Sequence, residues 1–251
     1  KPTIDINTNG GYAFRWSCIA GHLDVAKWLY EIKPTIDIHV DGEEAFTMSC
    51  RNGHLDVAMW LYEIKPTIDI STDGEYAFRY SCINGYLDVA KWLYEIKPTI
   101  DISANYEEAF KLSCENGHLD VAKWLYQNKH TIDISTDKEY AFRYSCRNGH
   151  LDVAKLLYQI KPTIDISANN EFAFRNSCQE GHLDVAKWLY EIKPTIDISA
   201  DDEFAFRWSC VDGHLDVAKW LYEIRHTINI SADYEYAFKW SCKKSHLDVA
   251  K

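Results

Sequence analysis

Apolar residues return along this chain with a fixed 32-residue period, and inside each period their spacing changes twice. In the third copy, Thr67-Ile68-Asp69-Ile70-Ser71 alternates polar and apolar, which predicts a short extended segment. Pro66 ahead of it cannot continue a helix. Ala77, Phe78, Ser81 and Cys82 then fall at i, i+1, i+4 and i+5. That spacing predicts a first helix from about Gly74 to Asn84, with one face of small residues and a Phe for bulk. Gly85 follows, suited to the left-handed residue that closes many helices. Val89, Trp92, Leu93 and Ile96, with Leu87, Ala90 and Tyr94 beside them, predict a second helix over Leu87 to Ile96. Its charges, Asp88, Lys91 and Glu95, lie at i, i+3 and i+7 and leave one narrow strip for solvent. A helix apolar around most of its circumference must be sandwiched. Asp88 also suits the positive end of that helix.

The same unit opens at Lys1, Lys33, Lys65, Lys97, Lys129, Lys161, Lys193 and Arg225, giving seven full copies and a partial one, 225–251. A strict period of this length is the signature of a repeat array, in which each unit buries its apolar face against its neighbours. Residues 1–251 are therefore expected to form a single all-α solenoid of paired antiparallel helices with short extended loops. At about 8–10 Å per unit it would be a rod on the order of 70–80 Å long. One column reads Asn9, Asp41, Asp73, Asn105, Asp137, Asn169, Asp201 and Asp233. Asp and Asn are helix N-cap residues, so this column is expected to cap the first helix.

A loop, a helix, a Gly-His turn and a second helix resemble the ankyrin repeat. The resemblance rests on Asn52-Gly53-His54-Leu55-Asp56-Val57-Ala58 with Trp60-Leu61-Tyr62-Glu63, and on Thr67-Ile68-Asp69. It covers the whole chain in strict phase. The unit is one residue shorter than the usual ankyrin period of about 33. The family's Thr-Pro-Leu-His tetrad is replaced by Tyr76-Ala77-Phe78-Arg79 and equivalents, so its hydroxyl–imidazole network is absent. We expect the projecting β-hairpin finger to be shortened or lost. The phrase Ala-Phe…Ser-Cys…Gly-His-Leu-Asp-Val-Ala-Lys-Trp-Leu-Tyr is also similar to repeats abundant in ankyrin proteins of amoeba-infecting giant viruses. That similarity implies a host protein as partner and the host cytoplasm as location.

Composition narrows the class. Hydrophobic residues at 47% and charged residues at 26% suit a folded chain. A formal charge of −11 argues against nucleic acid as a partner. Spread along a stack, it reads as a solubility feature; the third unit, with Asp69, Asp73, Glu75, Asp88 and Glu95 against Lys65, Arg79 and Lys91, carries −2. No apolar run approaches the roughly 18 residues of a membrane span. No signal peptide or initiating Met is visible, and the sequence stops inside a repeat at Lys251, so it reads as a piece of something longer. Fraying is expected at Leu247–Ala250. The eight cysteines recur every 32 residues from Cys18 to Cys242. Equivalent points about 8–10 Å apart cannot be bridged by disulfides, so reduced, buried thiols in a cytoplasmic setting are expected.

Thirteen of the 32 positions never change in the copies that contain them, and variation collects in a few columns. One is Trp16, Met48, Tyr80, Leu112, Tyr144, Asn176, Trp208 and Trp240. Three residues on, a second reads Ile19, Arg51, Ile83, Glu115, Arg147, Gln179, Val211 and Lys243. A third, in the loop, is Gly10, Gly42, Gly74, Tyr106, Lys138, Asn170, Asp202 and Tyr234. The first two lie on the side of the first helix away from the Ala-Phe/Ser-Cys face, which in an ankyrin stack lines the concave groove. Aromatics rimmed by charges have the composition of a protein-binding patch, interrupted here at Asn176. The bland alternative is that these columns vary because nothing constrains them. The Trp column, Trp28, Trp60, Trp92, Trp124, Trp188 and Trp220, lies on the apolar stripe of the second helix and is expected in the core, with Leu156 as its smaller substitute.

No catalytic, metal or cofactor site is expected. Cys18 and His22 could be imagined as nucleophile and base, yet the pair recurs in seven near-identical copies and Tyr86 replaces the His in the third. A buried thiol and a turn histidine bonded to nearby backbone account for it, and the repetition argues equally against a zinc site. Asn229-Ile230-Ser231 matches a glycosylation acceptor by chance alone. The expected function is non-catalytic binding of a protein partner by a monomer. The rival is a structural spacer with no specific partner.

Overall fold

The computed structural model describes residues 8–246 and 248. These residues fall into two compact units, Lys1–Ser113 with Asp120–Ile132, and Cys114–Leu119 with Asp133–Lys251. The segment expected to fray, 247–250, lies mostly outside the described residues.

The described residues form fifteen helices and no strand. First helices of twelve residues (Thr8–Ile19, Val40–Arg51, Thr72–Ile83, Ala104–Glu115, Thr136–Arg147, Ala168–Gln179, Ala200–Val211, Ala232–Lys243) alternate with second helices of ten. The second helices are Leu23–Ile32, Leu55–Ile64, Leu87–Ile96, Leu119–Asn128, Leu151–Ile160, Leu183–Ile192 and Leu215–Ile224. Within each unit a first helix packs on its own second helix and on the first helices of neighbouring repeats. The chain is thus an all-helical repeat solenoid of helix pairs. The described loops carry no hairpin finger, as the sequence led us to expect.

The second helix of the third repeat runs from Leu87 to Ile96, the boundaries read from its apolar stripe. It is reached through a Schellman turn: the Gly85 N–H donates to the Cys82 carbonyl at 3.1 Å and the Tyr86 N–H to Ser81 at 2.8 Å. Gly85 has φ of +83° there, the region that favours glycine. Ahead of the first helix the alternation holds: Ile68 and Ile70 are buried, while Thr67 and Asp69 face solvent.

The start of the first helix corrects the N-cap expectation. Asp73 does not cap; it has φ +51° and ψ +45°, followed by Gly74 at +63° and +54° and Glu75 at +64° and +36°. Three consecutive residues make a left-handed turn, closed by the Glu75 N–H donating to the Ser71 carbonyl at 3.3 Å. The right-handed helix begins at Tyr76. The turn recurs at Asn105–Glu107, Asp137–Glu139, Asn169–Glu171 and Asp201–Glu203. The restriction of the column to Asp and Asn therefore reflects their tolerance of left-handed backbone. Asp69 makes an Asx turn ahead of it, its Oδ1 accepting the Ser71 N–H at 3.0 Å.

Consecutive non-glycine residues in this region cost about 1–2 kcal/mol each, and two sets of side chains offset that. The Arg79 guanidinium folds back on its own turn, donating Nε to the Gly74 carbonyl at 2.6 Å and Nη2 to Asp73 at 3.0 Å. Arg143 and Arg207 repeat both bonds, and Arg175 the first. Glu75, Glu139, Glu171 and Glu203 point inward and are buried. The Glu75 carboxylate accepts the Ser71 hydroxyl at 2.7 Å, and that hydroxyl accepts Lys97 of the next repeat. Ser135, Glu139 and Lys161 form the same trio.

Candidate functional site

The first-helix face named by the sequence carries two kinds of residue, those that bind repeats together and those left half-open to solvent. Arg79, beyond holding its own turn, pairs with Glu108 of the next repeat. Arg15 pairs with Asp41, Arg175 with Asp201, and Arg207 with Asp233 at 2.9 Å. Where the next repeat has Asn105 in place of Asp, the carboxylate comes from Glu108, three residues on. In the sequence these arginines read only as charge. The signal that could have found them is the restriction of their column to Arg, Lys and one Thr47. Asn52, Asn84 and Asn148 add a further bond, each donating Nδ2 to the last turn of the preceding first helix at 2.8–2.9 Å.

Trp16 is 51% exposed, and Met48, Tyr80, Leu112, Tyr144, Asn176, Trp208 and Trp240 are half-buried. Each of the aromatic ones meets a ring four residues earlier, in a column the sequence reading missed: Tyr12, Tyr76, Tyr140, Phe204 and Tyr236. Tyr76 stacks on Tyr80, and Tyr140 on Tyr144, at 4.3 Å between centroids. Contacts also cross repeats, Tyr144 to Phe172 at 5.2 Å and Trp208 to Tyr236 at 5.7 Å. In the second unit the result is a ladder of rings on one side of the first helices; in the first unit the pairs Tyr12–Trp16 and Tyr76–Tyr80 stand on the same helix face. An aromatic pair at i, i+4 was its sequence signal.

The second variable column supplies the ladder's polar edge. Arg51 donates Nη1 to the Tyr76 hydroxyl at 2.8 Å and lies 5.0 Å over Tyr80. Glu115 accepts the Tyr140 hydroxyl at 2.6 Å; burial, helped by that carboxylate, pushes the phenol above its ordinary pKa. Arg147 lies 5.8 Å over Tyr144 and pairs with Glu180, and Lys243 sits 4.1 Å over Trp240. Ile19 and Gln179 are half-buried beside them. Ile83 and Val211 depart from the expectation. At 7% and 1% exposed they are buried and offer no surface, whereas Ile19 of the same column stays half-buried. In the loop column Tyr106 stands out at 85% exposed, held at φ +58°.

The remaining chemistry is structural. Cys18 to Cys210 are free, buried thiols, and Cys242 is free and exposed. Burial raises Cys18 and Cys210 to about 12 and the fully buried ones further, which keeps the thiolate out of reach at neutral pH. His22, His54, His150, His182 and His214 make no capping bond through their rings. Rings of this column instead lie against the closing glycine of the repeat before: His54 on Gly21, His182 on Gly149, His214 on Gly181. The tryptophans are less buried than expected. Trp28 is exposed, and Trp92, Trp188 and Trp220 are half-buried. Each of these last three is wedged between a Phe and a Tyr of the preceding repeat, such as Phe46 and Tyr62 at 6.1 and 6.0 Å from Trp92. Among the described residues no cluster of three metal-ligating side chains occurs, and no helix is long and apolar enough to cross a membrane.

A family model for ankyrin repeats (3 copies) matches in four overlapping stretches, 14–106, 80–170, 110–202 and 144–234. Comparison with curated proteins finds no match.

Proposed function

The chain belongs to the ankyrin repeat family, whose members are generally protein–protein interaction modules, and from that premise we propose that it binds a protein partner along the ladder face of its first helices. It does so without catalysis and as a monomer. Trp16, Met48, Arg51, Tyr80, Leu112, Glu115, Tyr144, Arg147, Trp208, Trp240 and Lys243 make the contact, with Ile19 and Gln179 at its margin. The carrying observation is the ladder itself. Rings stacked on one another and capped by cations lose little side-chain freedom on binding, and aromatics with arginines are what binding hot spots are made of. Eight free cysteines support a reducing compartment such as the cytoplasm.

The spacer reading draws on a different observation, the Arg–carboxylate and Ser–Glu–Lys bonds that join one repeat to the next. The two separate cleanly in one experiment. A variant carrying Trp16→Ala, Tyr80→Ala, Trp208→Ala and Trp240→Ala is compared with the unaltered chain in capture from its native cytosol. Loss of a partner at unchanged helicity supports the binding face; an identical set of captured proteins leaves the spacer.

A further inference from the structure

One socket recurs along the second helices. Trp60, Trp92, Trp124, Trp188 and Trp220 each stand between a Phe and a Tyr of the repeat before. In the second unit Trp188 lies 6.2 Å from Phe142 and 5.9 Å from Tyr158, and Trp220 lies 6.2 Å from Phe174 and 6.0 Å from Tyr190. Phe142 and Phe174 are fully buried behind these indoles.

The matching walls of the seventh repeat are Phe206 and Tyr222, and among the described residues no indole stands between them. A cavity of about 570 Å³ lies there instead, and its walls include Phe206, Cys210, Ala218, Tyr222 and Ile230. Pockets that take a ligand run to about 300–1,000 Å³. The walls are open to solvent in a way their counterparts are not. Phe206 is half-buried, Tyr222 is 48% exposed, and Ile230 is 59% exposed where Ile166 and Ile198 of the same column are buried. The Tyr222 ring is held edge-on by His226 at 5.6 Å, so the wall is ordered before anything enters. The rim carries Glu223 and Asp248 against Lys219, a balance that favours a basic residue beside the entering ring. The helices that fill the other sockets of this unit have one, Lys187 before Trp188 and Lys219 before Trp220.

We propose that this cavity is a second docking site, which receives a tryptophan carried on an amphipathic helix of a protein partner. The indole enters between Phe206 and Tyr222 and covers Ile230, so the series of Phe–Trp–Tyr contacts that joins one repeat to the next continues into the partner. The partner helix needs the apolar spacing of the chain's own socket-filling helices, Val185, Trp188 and Leu189 at i, i+3 and i+4, which is the spacing of helix-in-groove recognition. The site is distinct from the ladder face, since its walls lie on and beside the second helix Leu215–Ile224.

The test is a ¹⁹F NMR titration with a capped peptide of the sequence Leu-Asp-Val-Ala-Lys-Trp-Leu-Tyr-Glu-Ile, its Trp replaced by 5-fluorotryptophan, against the full chain. A saturable shift is expected, competed by the unlabelled peptide and not by the same peptide with Ala in place of Trp. Ile230→Lys, which sets a charge at an exposed position of the cavity wall, and Tyr222→Ala, which removes a wall, should each weaken binding by roughly tenfold or more, the scale of a lost hot-spot contact. Both variants are checked for unchanged helicity. The four-alanine variant of the ladder face should bind the peptide as the unaltered chain does. No saturable shift, equal competition by the Ala peptide, or undiminished binding to a folded Ile230→Lys overturns the proposal. Loss of peptide binding in the four-alanine variant overturns it as well, by placing the peptide on the ladder.

Discussion

Arg207 joins two repeats through one guanidinium, its Nη1 donating to the Asp233 carboxylate at 2.9 Å while Nε and Nη2 hold the carbonyls of Asp202 and Asp201. The left-handed turn and the inter-repeat pair are thus one device. Removing the cation should disturb both.

Arg175→Met keeps the bulk and loses the bonds. It should destabilise by about 1–3 kcal/mol, since the Asn170 carbonyl and the Asp201 carboxylate lose their donor, and Arg175→Lys should recover little, because an ammonium cannot reach both partners in the plane of the fork. Urea unfolding with fitted midpoints reads the effect. A midpoint unchanged in both variants would show the turn to be self-supporting.

The second repeat offers the converse. Thr47 occupies the arginine column and donates its hydroxyl to the Glu43 carbonyl, and Asp73 of the next repeat is exposed. Thr47→Arg should add the missing pair and stabilise by about 0.5–1 kcal/mol, the scale of a partly exposed ion pair. The gain should shrink in 1 M salt.

Tyr106 holds φ +58° with its ring 85% exposed, so its backbone conformation has no packing to offset it. Tyr106→Gly should stabilise by about 0.5–1 kcal/mol, the relief of left-handed strain exceeding the added freedom of the unfolded chain. In the opposite sense Gly74→Ala, whose added Cβ meets only Asn105 Oδ1 at an unstrained 3.9 Å, should destabilise by a similar amount through φ +63°. Thermal melts of the pair test the sign.

His182 is shifted below its ordinary value near 6.5, chiefly by burial and further by His150 and His214, with Asp184 and Glu180 opposing. A lowered folded value means the unfolded chain binds the proton more readily. The contribution is complete above about pH 6.5 and is lost as pH falls through the folded value. Urea midpoints at pH 7.5 and 5.0 should differ by less in His182→Gln than in the unaltered chain.

Seven thiols are buried and one, Cys242, is exposed. Ellman's reagent should therefore find one fast thiol in the native protein and eight in denaturant. Several fast thiols without denaturant would contradict the buried ladder.

Much of this architecture is local and was legible. The second helix from Leu87 to Ile96 follows from its stripe, the Gly85 turn from a residue type with one conformational use, and the buried Ala77, Phe78, Ser81 and Cys82 from their spacing. The ladder face was half legible: the ring column at Trp16 and Tyr80 was visible, its partner column at Tyr12 and Tyr76 was not. Ile83 and Val211 looked like surface and are core. A column of mixed residue types gives no sign of which members are buried: Ile83 and Val211 are, Ile19 is not.

By itself, then, the amino-acid sequence determined the period, the helix pairs and the residues of the core, because each depends on neighbours within one 32-residue unit. Asp73 shows what it could not decide. Asp is equally at home capping a right-handed helix and standing in a left-handed turn; in the third repeat Arg79 braces the turn and reaches across to Glu108, while the fourth repeat makes the same turn with Lys111 in that column. The ring contacts Tyr144–Phe172 and Trp208–Tyr236, the Ser71 bond with Lys97 and the Asn84 bond to Arg51 likewise depend on residues about 26–33 apart. Only stacking of one repeat on the next brings them within reach of a hydrogen bond or a ring contact.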